Sequence, residues 1–136
     1  MIVSYGVNTG NDFSFPTDID LSAAQYCFVV LGADGNLDLA GANARAIGVL
    51  QNDPTAGQSG TVRLMGVSKV TAGAAITQGA LVASNASGEA VAYTAATANT
   101  TTGVISGSQV LGIALEAAGA AGDFVAVALF PGGLSA

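Results

Sequence analysis

Histidine is absent from the sequence. That removes the usual general base near neutral pH and the commonest zinc ligand. There is no Gly-x-Ser-x-Gly elbow and no phosphate-cradling glycine loop with its lysine. The nine acids are spread singly along the chain. No catalytic or metal-ligating set is expected, and no cofactor. Basic side chains number three, Arg45, Arg63 and Lys69, and they are scattered. Binding phosphate takes clustered Lys or Arg, so neither nucleic acid nor an anionic membrane surface is expected as a partner. Cys27 is the only cysteine, which excludes an intramolecular disulfide and leaves a small buried hydrophobe as the plain reading. Tryptophan is missing too. The longest apolar run, Val110 to Phe130, is broken by Glu116, Asp123 and glycines, which argues against a membrane span. The first residues lack the basic flank and apolar run of a signal peptide, so synthesis in a cytoplasm is expected.

What the chain does have is small residues: 27 Ala and 19 Gly among 136 positions. They let backbones approach closely but bury little area each, so the large apolar side chains must supply most of the stability. One domain of this length can build a core without staples. A core of small residues predicts a modestly stable monomer that gains from association.

The stretch from Ala46 to Tyr93 sets the fold class. Ala46-Ile47-Gly48-Val49-Leu50, Thr61 to Gly66, Val70 to Gly73, Leu81 to Ser84 and Glu89 to Tyr93 are apolar runs of strand length. Each ends at Gly, Pro or Asn, and none carries a helical stripe. They predict an all-β domain, a small antiparallel β-barrel or sandwich of short strands, spanning residues 21–136. Upstream, Asp20 or Ser22 offers a cap for one helical turn. Gln25 to Leu31 reads as a strand, Ala33-Asp34-Gly35-Asn36 as a hairpin turn and Leu37 to Ala40 as its return. Downstream, Thr94 to Gly103 reads as an exposed, mobile loop and Val104-Ile105 as a brief strand. Gln109 to Ala117 and Asp123 to Phe130 form a last hairpin ended by Pro131-Gly132-Gly133. A partial echo links two places. Ile47-Gly48-Val49-Leu50, Gly57, Val62-Arg63-Leu64 is matched by Leu111-Gly112-Ile113-Ala114-Leu115, Gly122, Val125 to Leu129.

Residues 1–20 stand apart as an extended N-terminal arm, rich in turn formers, with Tyr5, Phe13 and Phe15 among them. It reads either as an edge strand folded back on its own domain or as an arm that anchors on a neighbouring protein through those aromatics. Asp34-Gly35-Asn36-Leu37-Asp38 opens like a calcium loop, but Leu39 stands where glycine is needed and Arg45 where a bidentate Glu is needed. Gly73, Ile76, Gly79 and Val82 have the rhythm of biotinyl and lipoyl carriers. Lys69, the only lysine, lies in a strand-like run rather than at a hairpin tip.

Asp20-Leu21-Ser22-Ala23-Ala24-Gln25-Tyr26, the valine-rich strand after it, Ala33-Asp34-Gly35 and Ala46 to Asn52 resemble the capsid cement (decoration) proteins of tailed bacteriophages. Gly57 with Val62, Val70 to Ile76, Gly79, Gly88 and Gly112-Ile113-Ala114-Leu115 extend the resemblance to about Leu129. It departs at Ala80, where an acid is usual, and residues 1–17 match nothing in the family's pattern. The resemblance implies a non-enzymatic structural protein of the virion, made in the bacterial host cytoplasm. It would bind the outer capsid surface, with the major capsid protein as partner, and clamp its subunits together. It would act as a homo-oligomer, a trimer first and a dimer second. Tyr5, Phe13 and Phe15 are the candidate contacts to capsid or to a neighbouring subunit. The alternative is a non-catalytic β-barrel binding or carrier-like module.

Overall fold

The structure, a computed structural model, describes residues 11–94, 97–99, 104–106 and 109–135. In chain order the strands are β1 (Asp12–Pro16), β2 (Phe28–Leu31), β3 (Leu37–Leu39), β4 (Gly48–Leu50), β5 (Ser59–Arg63) and β6 (Gly66–Thr71). They continue with β7 (Leu81–Ser84), β8 (Ala90–Ala92), β9 (Thr97–Asn99), β10 (Val104–Ser106), β11 (Gln109–Ala114) and β12 (Phe124–Ser135). The described residues include no helix. Two five-stranded antiparallel sheets, ordered β1-β5-β4-β2-β3 and β6-β12-β11-β7-β8, form an all-β sandwich rather than a closed barrel. β9 and β10 make a separate two-stranded ribbon.

The two sheets are the same unit twice. Exchanging β1 to β5 for β6, β7, β8, β11 and β12 turns one strand order into the other. The registers agree as well. Phe28 faces Val49 and Val29 faces Gly48 in the first sheet; Leu81 faces Ile113 and Val82 faces Gly112 in the second. The hairpin turns close alike, Gly35 N–H donating to the Gly32 carbonyl and Gly88 N–H to that of Asn85. Gly57 N–H donates to Thr17 as Gly122 N–H does to Ala72. The echo in the sequence is therefore one part of a duplication over residues 12–63 and 66–135. The β9–β10 ribbon is inserted in the second unit.

Burial alternates with a period of two along β5 and β6, while β4, covered on both faces, is buried throughout. One face of the first sheet packs with the loop at Leu21, Ala24 and Cys27 around Val29, Leu37, Leu50 and Val62. Its other face, with Phe28, Ala46 and Val49, covers the second unit's core of Val70, Ile76, Val82, Leu111, Val127 and Leu129. The units thus stack front to back.

Four readings of the sequence need correction. The second strand starts at Phe28, not Gln25, because Tyr26 takes a left-handed φ of 63° and a strand cannot pass through it. Asp20 accepts from Ser22 N–H in a turn, not a helical turn. Within the expected loop, Thr97–Asn99 is a strand that pairs with Val104–Ser106, held by backbone pairing that no large apolar residue of its own announces. Residues 95–96 and 100–103 lie outside the described set. Pro131-Gly132-Gly133 does not end the last strand. Proline lacks the N–H a ladder needs, so the register shifts there, and pairing resumes with Val110 opposite Leu134 and Gln109 opposite Ser135.

Cys27 is buried, and burial, with the charge of Glu89 second, pushes its thiol above the usual range. The thiol therefore stays protonated at neutral pH, and iodoacetamide is expected to label the native protein only as fast as it opens. Labelling of native protein at the rate of a free thiol would contradict that packing.

Candidate functional site

The described residues hold no group of three or more His, Cys, Asp or Glu placed to share a metal. At the calcium-like turn, the Asp34 carboxylate accepts from Asn36 N–H at 3.0 Å and Asn36 Nδ2 at 3.2 Å. These bonds hold its carboxyl below the usual range and make the turn a hairpin. Gly35 supplies the positive φ that the turn requires. What stands out instead is a surface.

Lys69 lies mid-strand on β6, between buried Ser68 and Val70, so it projects from the outer face of the second sheet. On β12, Phe124 pairs with Thr71 and Ala126 with Lys69, which makes Phe124 the diagonal neighbour of Lys69 on that face. Tyr26 arrives from the loop before β2, its carbonyl accepting from Thr71 N–H at 2.8 Å. The rings of Tyr26 and Phe124 meet edge to face at 5.7 Å. The Lys69 ammonium sits 4.5 Å from one ring centroid and 4.4 Å from the other. Both distances are within cation–π range. Phe124 is nevertheless 49% exposed.

Two further facts set this cluster apart. The position of Tyr26 in the second unit is taken by Gly79, with φ +85°; both donate their N–H to the last residue of the adjoining strand, Leu50 or Ala114. Tyrosine thus occupies a backbone conformation for which the other unit uses glycine. Such a conformation costs of order 1–3 kcal/mol and persists where the side chain is needed. The second fact is charge. Among the described residues the one ion pair joins Arg63 to Asp12, bidentate at 2.8 and 3.0 Å. Arg63 also donates to the Val67 carbonyl at 3.0 Å, tying the first unit to β6. The hydrogen bonds from Arg63 to Asp12 strengthen its hold on its proton. Arg63 is thereby used up in structure, while Lys69 is held by rings and left facing outward.

Of the residues proposed from sequence, Tyr5 lies outside the described set. Phe13 and Phe15 lie on β1, which pairs with β5 at the edge of the first sheet. Phe15 packs partly on the core there, and Phe13 is 50% exposed. The Tyr26–Lys69–Phe124 cluster was not legible, since its members are far apart in sequence and only the stacking of the two units unites them. Lys69 is mid-strand, not at the hairpin tip a carrier requires.

A family model described as phage cement protein matches residues 8–129. No curated protein matches the chain. Among solved structures, the crystal structure of the head fiber gp8.5 N base of bacteriophage phi29 has the same fold, with a TM-score of 0.63 at 20% identity. The match covers 92% of this chain and 98% of that one.

Proposed function

The chain belongs to the phage cement protein family, whose match spans both units of the sandwich, and on that premise we propose that it binds the outside of an icosahedral phage capsid and stabilises the shell. It is a structural, capsid-associated phage protein. The family match is the observation that carries the reading. Several features support binding at the outer surface. The formal charge of −6 suits the exterior better than a DNA-filled interior. The absence of histidine supports a role without catalysis. The Lys69 cluster offers a preset cation flanked by rings, to which a carboxylate of the major capsid protein would bind with little loss of side-chain freedom. Phe13 and Phe15, with Tyr5, remain proposed contacts to capsid or to a neighbouring copy. Stabilisation would come from many copies, each touching two or more capsid subunits and resisting their separation.

The test is co-sedimentation with shells assembled from the same phage's major capsid protein. Full-length protein is expected to bind, and decorated shells should break at a higher temperature than bare ones. Lys69→Glu should weaken binding about tenfold or more, because a like charge now faces the partner's carboxylate. Tyr26→Gly should weaken it too while leaving the melting temperature unchanged or raised, since glycine relaxes the backbone there. Failure of the wild-type chain to bind such shells would end this reading.

A further inference from the structure

The duplication makes each half a template for reading the other. Across the first sheet, Phe28, Val49, Arg63 and Asp12 stand opposite one another in one row and so share one face. The corresponding row in the second sheet is Leu81, Ile113, Ala128 and Val67. In the first row Phe28 is 1% exposed and Val49 0%, both against the second unit, while Arg63 and Asp12 at its outer end stay half-buried. The second row is entirely apolar, yet Leu81 is 38% exposed and Ile113, Ala128 and Val67 are only half-buried. This is the face by which the first unit packs, repeated in the second unit and left partly open to solvent.

The opposite face shows the complementary shortage. In the second unit Val70, Leu111 and Leu129 are buried beneath Phe28, Ala46 and Val49. Their counterparts in the first unit, Phe15, Ile47 and Leu64, are only half-buried, and Phe13, counterpart of the buried Ser68, is half exposed. Each chain therefore carries one satisfied contact of this kind and one unsatisfied half of it at either end.

We propose that the Leu81–Ile113–Ala128–Val67 face of one copy docks on the Phe13–Phe15–Ile47–Leu64 face of a second copy, repeating between chains the contact made within each. The occupant is a second copy because the chain itself displays what fits this face, and the complementary surface is the one left short of cover. The contact is head to tail, so it joins different surfaces of the two partners and closes into a ring when the rotation per copy allows. This deepens the homo-oligomer proposed from the sequence. It is read in solution without shells, so its failure would leave shell binding standing.

The experiment is sedimentation velocity on the full chain, wild type against Leu81→Glu and Phe13→Glu, both at exposed sites. The wild type is expected to form one finite oligomer at micromolar concentration. Each single variant should raise the dissociation constant by about 30-fold or more, the scale of a disrupted hot spot, and run as a monomer. Mixing the two variants should yield a 1:1 dimer and nothing larger. One copy retains the donor face, the other retains the acceptor face, and only that single contact survives. The double variant alone should stay monomeric. Circular dichroism checks folding, and if either glutamate unfolds the chain, Leu81→Ser and Phe13→Ser carry the same comparison. A monomeric wild type overturns the proposal, as does a single variant that keeps the wild-type mass, since one face would then be meeting itself. Mixed variants that remain monomers overturn it as well.

Discussion

Gly48→Ala and Gly112→Ala are each expected to lower the free energy of unfolding by about 3 kcal/mol or more, the upper range for overpacking. Both glycines sit in central strands, where glycine is otherwise a weak choice. A methyl group on Gly48 would stand 2.2 Å from the Arg63 carbonyl oxygen and 2.8 Å from a Val62 methyl. On Gly112 it would stand 2.4 Å from the Ala128 carbonyl oxygen and 2.5 Å from a Val127 methyl. In each case the obstacle is backbone of the neighbouring strand, which cannot retreat without opening its ladder. Against a total stability of roughly 5–15 kcal/mol, either substitution removes a large fraction. Gly41→Ala is the control. Nothing lies within 4 Å of its added methyl and no positive φ is required there. It should shift stability by no more than about 1 kcal/mol, on the stabilising side. Urea denaturation measures all three. Equal midpoints for Gly48→Ala, Gly112→Ala and Gly41→Ala would mean that the close approach of β4 to β5, and of β11 to β12, is not what these glycines serve.

The same two glycines show how much of the fold was legible. Ile47-Gly48-Val49-Leu50 and Leu111-Gly112-Ile113-Ala114 look alike as letters because both must pass the same neighbour at the same distance. Short strands ending at Gly, Pro or Asn gave the all-β class, and Asp34-Gly35 gave a hairpin. The rest of the duplication stayed hidden. Phe28-Val29-Val30-Leu31 and Leu81-Val82-Ala83-Ser84 occupy the same strand with little in common beyond one valine. The reason is burial. Phe28 is sealed between the sheets and Leu81 is not, so the same backbone carries different side-chain demands. The sequence around Tyr26 reads as strand because nothing local to a tyrosine announces a left-handed φ; only Gly79 in the other unit does. The arm had two readings in the sequence, and the choice depends on long-range pairing of β1 with β5 that no local pattern encodes.

That pairing leads to the other large effect, which separates two truncations. Deletion of residues 1–10 leaves β1 whole and should leave the unfolding midpoint near that of the full chain. Deletion through Pro16 removes far more. It strips five register pairs from the exposed edge of β5, from Asp12 opposite Arg63 to Pro16 opposite Ser59. It takes Asp12 from Arg63, leaving a partly buried guanidinium without its carboxylate. That loss is less than the 3–5 kcal/mol of a fully buried pair, because both side chains keep some solvent. It also takes Phe15 from the core at Val29, Leu50 and Val62, where burial of a phenylalanine is worth up to about 3 kcal/mol. Ladder hydrogen bonds add about 1 kcal/mol each. Together these approach the whole stability of a domain this size, so the chain lacking residues 1–16 should show little or no cooperative urea transition at 25 °C. Asp12→Ala isolates one contribution and should cost about 1–2 kcal/mol, since the hydrogen bonds it removes are to a charged group. The measurement is the urea midpoint of the four chains side by side. A protein lacking residues 1–16 that unfolds at the wild-type midpoint would make β1 a dispensable arm and put the domain boundary at Asp20. Loss of the transition only in that chain would make β1 the first strand of the sandwich, and any part Phe13 plays at an interface would then be played from a sheet edge rather than from a free arm.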